Sequence, residues 1–114
     1  MSHVVRDVFG VKVSGIEVDP QTRCRHYHSA VDIIAIKFPC CRTYFPCYEC
    51  HEALAHHAAA RWRKDQRLER AVLCGSCGHQ LTIQEYLNSG YACTACQAPF
   101  NPGCRLHVHL YFDS

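Results

Sequence analysis

Three C-x-x-C pairs, Cys47/Cys50, Cys74/Cys77 and Cys93/Cys96, are the residues of this chain best equipped for chemistry. The spacing lets two sulfurs converge on one tetrahedral ion while backbone amides of the tight turn donate to the thiolates. Histidines stand beside cysteines as well, at Cys24-Arg-His26, at Cys50-His51, and at His107 three residues after Cys104. With 10 Cys and 9 His in 114 residues, the chain nears the cysteine content at which cross-linking is the expected purpose. Disulfide scaffolds have no use for paired histidines, whereas zinc sites do. A lone C-x-x-C is also the mark of a thioredoxin-like redox pair, but no βαβ pattern surrounds any of the three, and their repetition argues against it. The pattern therefore predicts bound zinc. His3, His28, His56 and His79 are read as ordinary polar or capping residues.

The surrounding sequence narrows the setting. The opening MSHVVRDVFG lacks the basic and long apolar regions of a secretory signal, and no apolar run reaches membrane length. The expectation is a soluble, cytoplasmic protein of one domain's length, in a compartment that keeps thiols reduced. The formal net charge is +2, and nine thiolates against three dications would add about minus three, leaving a loaded chain near neutral. The basic run from Arg61 to Arg70 is interrupted by Asp65 and Glu69 at helical spacing. It reads as a solvated helix face with i, i+4 pairs, not as a nucleic-acid surface. Neither nucleic acid nor membrane is expected as a partner. A protein partner is, with Tyr44, Phe45, Tyr48 and Tyr91 either facing it or packing around the metal sites.

The elements that must position these donors follow from periodicity and propensity. Residues 4–19 alternate as one or two strands, with Gly10 and Gly15 as turn or bulge points. The β-branched run from Ala30 to Phe38 predicts a strand carrying the chain from Cys24/His26 to the Cys40 cluster, where Pro39 and Pro46 bracket the cysteine-rich turn. The alanine-rich stretch from Glu52 to Val72 predicts a helix, with Leu54, Ala58 and Trp62 on one face and His57 returning to a metal. Residues 74–100 hold two C-x-x-C pairs at zinc-ribbon spacing. Inside that interval Thr82 and Glu85 predict a capping box opening a short helical turn that Gly90 ends. Leu106 to Phe112 alternates as a final strand.

Taken together, Cys24-x-His26-Tyr27, Asp32-Ile33, Lys37-Phe38-x-Cys40-Cys41, Tyr44-x-x-Cys47-x-x-Cys50-His51, Cys74-x-x-Cys77-Gly78 and Cys93-x-x-Cys96 resemble the CHY-type zinc finger family over residues 20–112. The resemblance implies a compact module binding three zinc ions. The expected fold is a small metal-dependent α+β zinc-binding fold, with short strands and one helix around interleaved zinc sites. An N-terminal strand segment spans 1–19 and the finger 20–112, divided into interleaved sites at 20–60, a helix at 61–73 and a zinc-ribbon-like part at 74–112.

The grouping expected for the donors puts Cys24, His26, Cys47 and Cys50 on one zinc, Cys40, Cys41, His51 and His57 on a second, and Cys74, Cys77, Cys93 and Cys96 on a third. Neighbouring residues of an extended chain point to opposite sides, so Cys40 and Cys41 serve different ions unless a turn brings them together. Cys104 is read as a buried thiol in preference to half of a further site with His107. Donor sets complete at four leave no open position for water, so catalysis is not expected. The expected function is a zinc-stabilised protein-interaction module. The alternative, which the resemblance implies, is thiol or zinc handling for cysteine-rich proteins, since family members that are little more than the finger resemble the helper-of-Tim type of the mitochondrial intermembrane space. A ubiquitin-ligase role would need a further subunit, because no RING-like segment is present.

Overall fold

Val11 and Val13 alternate with Lys12 and Ser14, and in the computed structural model this segment and the valine-rich HVVRDV form an antiparallel hairpin, β1 (His3–Val8) and β2 (Val11–Ile16). The structure describes residues 3–16, 18–24, 31–55, 57–90 and 92–100. Phe9 and Gly10 close the hairpin at φ 51° and 81°, the positive pair that matches the right-handed twist of the flanking strands. Gly15 is not a bulge. It pairs with Val4 in regular register, and a Cβ there would run into Val18 and Pro46 at 2.6 to 2.9 Å.

The remaining strands are β3 (Ile34–Phe38), β4 (Thr43–Phe45), β5 (Arg70–Cys74) and β6 (Gln80–Thr82), in a single sheet ordered β1-β2-β4-β3-β5-β6. Neighbours pair antiparallel except β2 and β4, which meet in parallel through Val13 and Tyr44. Two short helices, α1 (Tyr48–Leu54) and α2 (Ile83–Leu87), and a 3-10 turn at Lys64–Gln66 complete the described chain. The sheet presents two apolar faces because residues alternate along each strand. Ala35 and Leu73 join Val8, Val13, Val18 and Tyr44 on one face. Ile34, Ile36, Phe38, Val72 and Cys74 join Trp62, Leu81, Ile83, Phe100 and four further cysteines, Cys24, Cys47, Cys50 and Cys93, on the other. The architecture is a small α+β unit, and among the described residues no helix is long and apolar enough to cross a membrane.

The helix expected over 52–72, and with it the helical segment at 61–73, is overturned. α1 ends at Leu54, Trp62 sits in an isolated bridge position, and Arg70–Cys74 is a strand. A continuous helix of that length would run about 30 Å, yet the chain must return to pair Val72 with Ile36 and Cys74 with Ile34. Pairing and burial of Trp62 override alanine-rich propensity. The basic run is accordingly no helix face, and Arg63 meets Asp65 at 3.1 Å across two residues of a turn. Tyr44 and Phe45 are buried and Tyr48 half-buried, so the first two are packing residues and not partner-facing ones. The strand expected at 106–112, Tyr91, His26, Cys104 and His107 lie outside the described residues.

Candidate metal centres

α1 begins where Cys47 serves as its N-cap, the sulfur accepting the amide of Cys50 at 3.4 Å. That cap turns the Cys47-x-x-Cys50 knuckle so both sulfurs face Cys24, whose Sγ lies 3.6 Å from that of Cys47. Cys24, Cys47 and Cys50 form one buried donor group, every pair of sulfurs within 4.8 Å. His26, the fourth donor expected here, falls outside the described residues.

One residue further on, His51 leaves the same helix toward a different group, Cys40, Cys41, His51 and His57. The adjacent cysteines converge because they sit in the tight β3–β4 turn. The Arg42 amide donates to the Phe38 carbonyl at 2.7 Å, and Arg42 itself takes φ 51°. A turn, not extended chain, therefore puts two neighbouring sulfurs on one side. The His51 Nε2 lies 3.4 Å from Cys40 Sγ, and its ring stacks on Phe38 at 4.3 Å and meets the edge of Phe45 at 5.0 Å. Phe45 takes the packing role around a metal site that the sequence left open for it, whereas the Phe38 wall escaped sequence reasoning, although Phe38 stands two residues before Cys40.

The third group, Cys74, Cys77, Cys93 and Cys96, joins the end of β5 to the loop after α2. The sulfurs of Cys74 and Cys96 lie 3.8 Å apart and those of Cys77 and Cys93 3.7 Å apart. Cys74 accepts the Ser76 amide at 3.4 Å and Cys93 the Ala95 amide at 3.3 Å. α2 opens on the expected capping box, with reciprocal bonds between Thr82 and Glu85, and ends with Asn88 as its C-cap before the left-handed Gly90. His79, read as an ordinary polar residue, approaches Glu85 at 3.4 Å.

These spacings fit zinc. Tetrahedral zinc–sulfur bonds of about 2.3 Å put neighbouring sulfurs about 3.8 Å apart, and a sulfur and an imidazole nitrogen about 3.6 Å apart. The observed sulfur pairs span 3.6 to 3.8 Å and the Cys40–His51 contact 3.4 Å. The nine described cysteines are all unbridged, and every one belongs to one of the three groups.

The electrostatics ask for a cation. The neighbouring sulfurs of Cys24 and Cys50, with burial, push the Cys47 thiol far up. Burial raises Cys74 and Cys77 against the amides that donate to them, and raises Cys41 against the Thr43 amide and hydroxyl. Cys96 is drawn down, to about 7, chiefly by the Ala98 amide. Burial and His57 lower His51, keeping it the neutral imidazole that a metal requires. Crowded thiols that resist ionisation are stabilised as thiolates once a divalent ion supplies the opposing charge.

Comparison with known proteins agrees. The CHY zinc finger family matches residues 24–86, from Cys24 to Tyr86. Helper of Tim protein 13 of Saccharomyces cerevisiae is 44% identical over 105 residues, covering 90% of each chain. Helper of Tim protein 13 of Kluyveromyces lactis is 39% identical over 101 residues, covering 89% of this chain and 88% of that one. An uncharacterized protein of Schizosaccharomyces pombe is 40% identical over an equal span. With its donor clusters built at zinc-ligand spacing, this chain is a zinc-binding module and belongs to the CHY zinc finger family, similar over most of its length to Helper of Tim proteins.

Proposed function

We propose that the chain binds three zinc ions through Cys24, His26, Cys47 and Cys50, through Cys40, Cys41, His51 and His57, and through Cys74, Cys77, Cys93 and Cys96, and that the loaded module acts on a protein partner of the Tim type by handling zinc and thiols. The observation that carries this is the assembly of two complete four-donor groups and a buried three-sulfur group at tetrahedral spacing, with the described cysteines unbridged. The names of the relatives supply the partner class. The resemblance of small CHY fingers to intermembrane-space proteins supplies the compartment, in place of the cytoplasm expected from the sequence alone. The role is non-catalytic: a zinc held by four protein donors offers no position for an activated water.

Native mass spectrometry with and without a strong chelator tests the reading. The expected result is three zinc ions per chain, and loss of the folded charge-state distribution once excess chelator has removed them all. A zinc-loaded, cysteine-rich Tim protein should then give up its metal to the zinc-depleted chain. A folded chain free of metal, or one with its cysteines joined as disulfides, would overturn the proposal.

A further inference from the structure

The three groups differ in how firmly the fold holds their donors, and the difference singles out one of them. Cys24, Cys47 and Cys50 are 2%, 3% and 0% exposed. In the Cys74 group two sulfurs are fully buried, and each of the four accepts a backbone amide, from Ser76, His79, Ala95 and Ala98. The Cys40 group is held less firmly: of its two sulfurs only Cys41 accepts a backbone amide, from Thr43, and of its four donors only His51 is fully buried. Cys40 and His57 are both exposed, and Cys40 Sγ meets the His51 ring but no backbone amide among the described residues. His57 lies on a stretch, residues 57–61, that forms neither helix nor strand. His51 is fully buried, yet among the described residues its Nδ1 meets no hydrogen-bond partner. A metal-bound histidine ordinarily donates its other ring nitrogen to an acceptor, and loss of that support weakens binding about 10- to 100-fold.

We infer that Cys40, Cys41, His51 and His57 form the exchangeable centre, through which zinc enters and leaves while the other two groups keep the fold. This inference rests on the proposed zinc binding and refines it by naming the position that meets the partner. The route follows from the exposure. His57 and Cys40 face solvent, so an incoming thiolate takes the position His57 vacates and a second displaces Cys40, with Cys41 and His51 holding the ion meanwhile. Zinc remains Zn²⁺ throughout and no electron moves. The His57 imidazole leaves neutral, the Cys40 thiolate takes up a proton from water, and the ion passes to the acceptor's thiolates. Two thiolates and two imidazoles around Zn²⁺ are neutral overall, so an anionic thiolate approaches without the repulsion that a four-thiolate site exerts.

The test uses the full chain loaded with zinc, its metal content measured first, and pyridylazoresorcinol as the acceptor under reducing conditions. One equivalent should leave at least about tenfold faster than the others, with the far-UV spectrum unchanged. Brief labelling with N-ethylmaleimide during that phase should modify Cys40 and Cys41 and spare Cys24, Cys47, Cys50, Cys74 and Cys93. His57→Ala should speed the fast equivalent alone; a merely structural role for His57 would speed all of them. Release of all zinc in one phase with loss of structure, or early labelling at Cys77 and Cys96, would overturn the inference while leaving zinc binding intact. A chain that holds no zinc before the acceptor is added would overturn both.

Discussion

The Trp62 indole nitrogen donates to the Lys37 carbonyl oxygen at 2.6 Å, tying the irregular chain that follows α1 to the edge of β3 beside the Cys40 turn. The indole is buried, and the Arg42 guanidinium lies over its ring at 5.7 Å. One side chain thus fixes the path of residues 57–62 and, through it, the reach of His57.

Trp62→Ala should therefore cost about 3–5 kcal/mol of stability in the zinc-loaded chain. Trp62→Phe keeps most of the apolar volume but strands the Lys37 carbonyl, and should cost about 1–3 kcal/mol. Denaturant unfolding in the presence of zinc measures both. If the phenylalanine variant matched the wild type, the hydrogen bond would hold no structural role.

The knuckle glycines leave no room for a side chain, Gly75 against backbone and Gly78 against the Phe9 side chain. A Cβ on Gly75 would overlap the Gln21 carbonyl and come within 2.9 Å of the Ile33 carbonyl oxygen, to which the Gly75 amide already donates at 2.6 Å. Gly78 is held at φ +84°, and a Cβ there would stand 2.5 Å from the Phe9 Cβ. Gly78→Ala forces either the hairpin tip or the knuckle to shift, and Gly75→Ala leaves only the knuckle free to move. Both should destabilise by about 1–3 kcal/mol, and Gly75→Ala should lower zinc affinity at the Cys74 group more than elsewhere. Competitive zinc titration against a calibrated chelator, one variant at a time, reads this out; unaltered affinity for Gly75→Ala would show that the knuckle tolerates displacement.

How much of this was legible follows from the residues. The clustering was, because ligand spacing is local and chemically specific: Cys47, Cys50, Cys74, Cys77, Cys93 and Cys96 announce themselves as pairs, and of the twelve residues expected as donors the structure brings the eleven it describes into the expected groups, His26 lying outside the described residues. The capping box at Thr82 and Glu85 was legible for the same reason. The path between the sites was not. Residues 52–72 read as helix by propensity, but the deciding facts are long-range, namely the Trp62–Lys37 bond and the pairing of Arg70–Cys74 with Ile34–Phe38. The convergence of Cys40 and Cys41 likewise depended on a turn whose Arg42 occupies a conformation that sequence does not favour.

Glu85 supplies a pH prediction. The Thr82 amide first, then His79 and Thr94, hold its carboxyl at about 2, below the ordinary 4.5. A depressed carboxylate contributes stability that is complete above the unfolded value and is lost as pH falls from about 4.5 toward 2. Its contribution is thus fully present at neutral pH. Glu85→Gln should lower the melting temperature at pH 7 but leave unmoved the pH at which acid expels zinc, since thiolate protonation governs that step. A shift of the acid midpoint in the variant would show that Glu85 supports the metal directly.

Removal of metal should have the largest effect of all. The buried sulfurs of Cys24, Cys47, Cys50, Cys74 and Cys93 share one packed cluster with Ile34, Phe38, Trp62, Leu81 and Phe100, so the metal centres are continuous with the core. A structural zinc contributes on the order of 10 kcal/mol to a finger at neutral pH, as much as the whole net stability of an ordinary domain, about 5–15 kcal/mol. The hairpin face is too small to compensate: Val8, Val13, Val18, Ala35, Tyr44 and Leu73 are its buried members. Excess chelator in the presence of reductant should therefore abolish the cooperative thermal transition and the near-UV signal of the buried Trp62, and added zinc should restore both. Retention of that signal in the metal-free chain would mean that the apolar faces hold the fold unaided, and that the ions bind to a framework already formed.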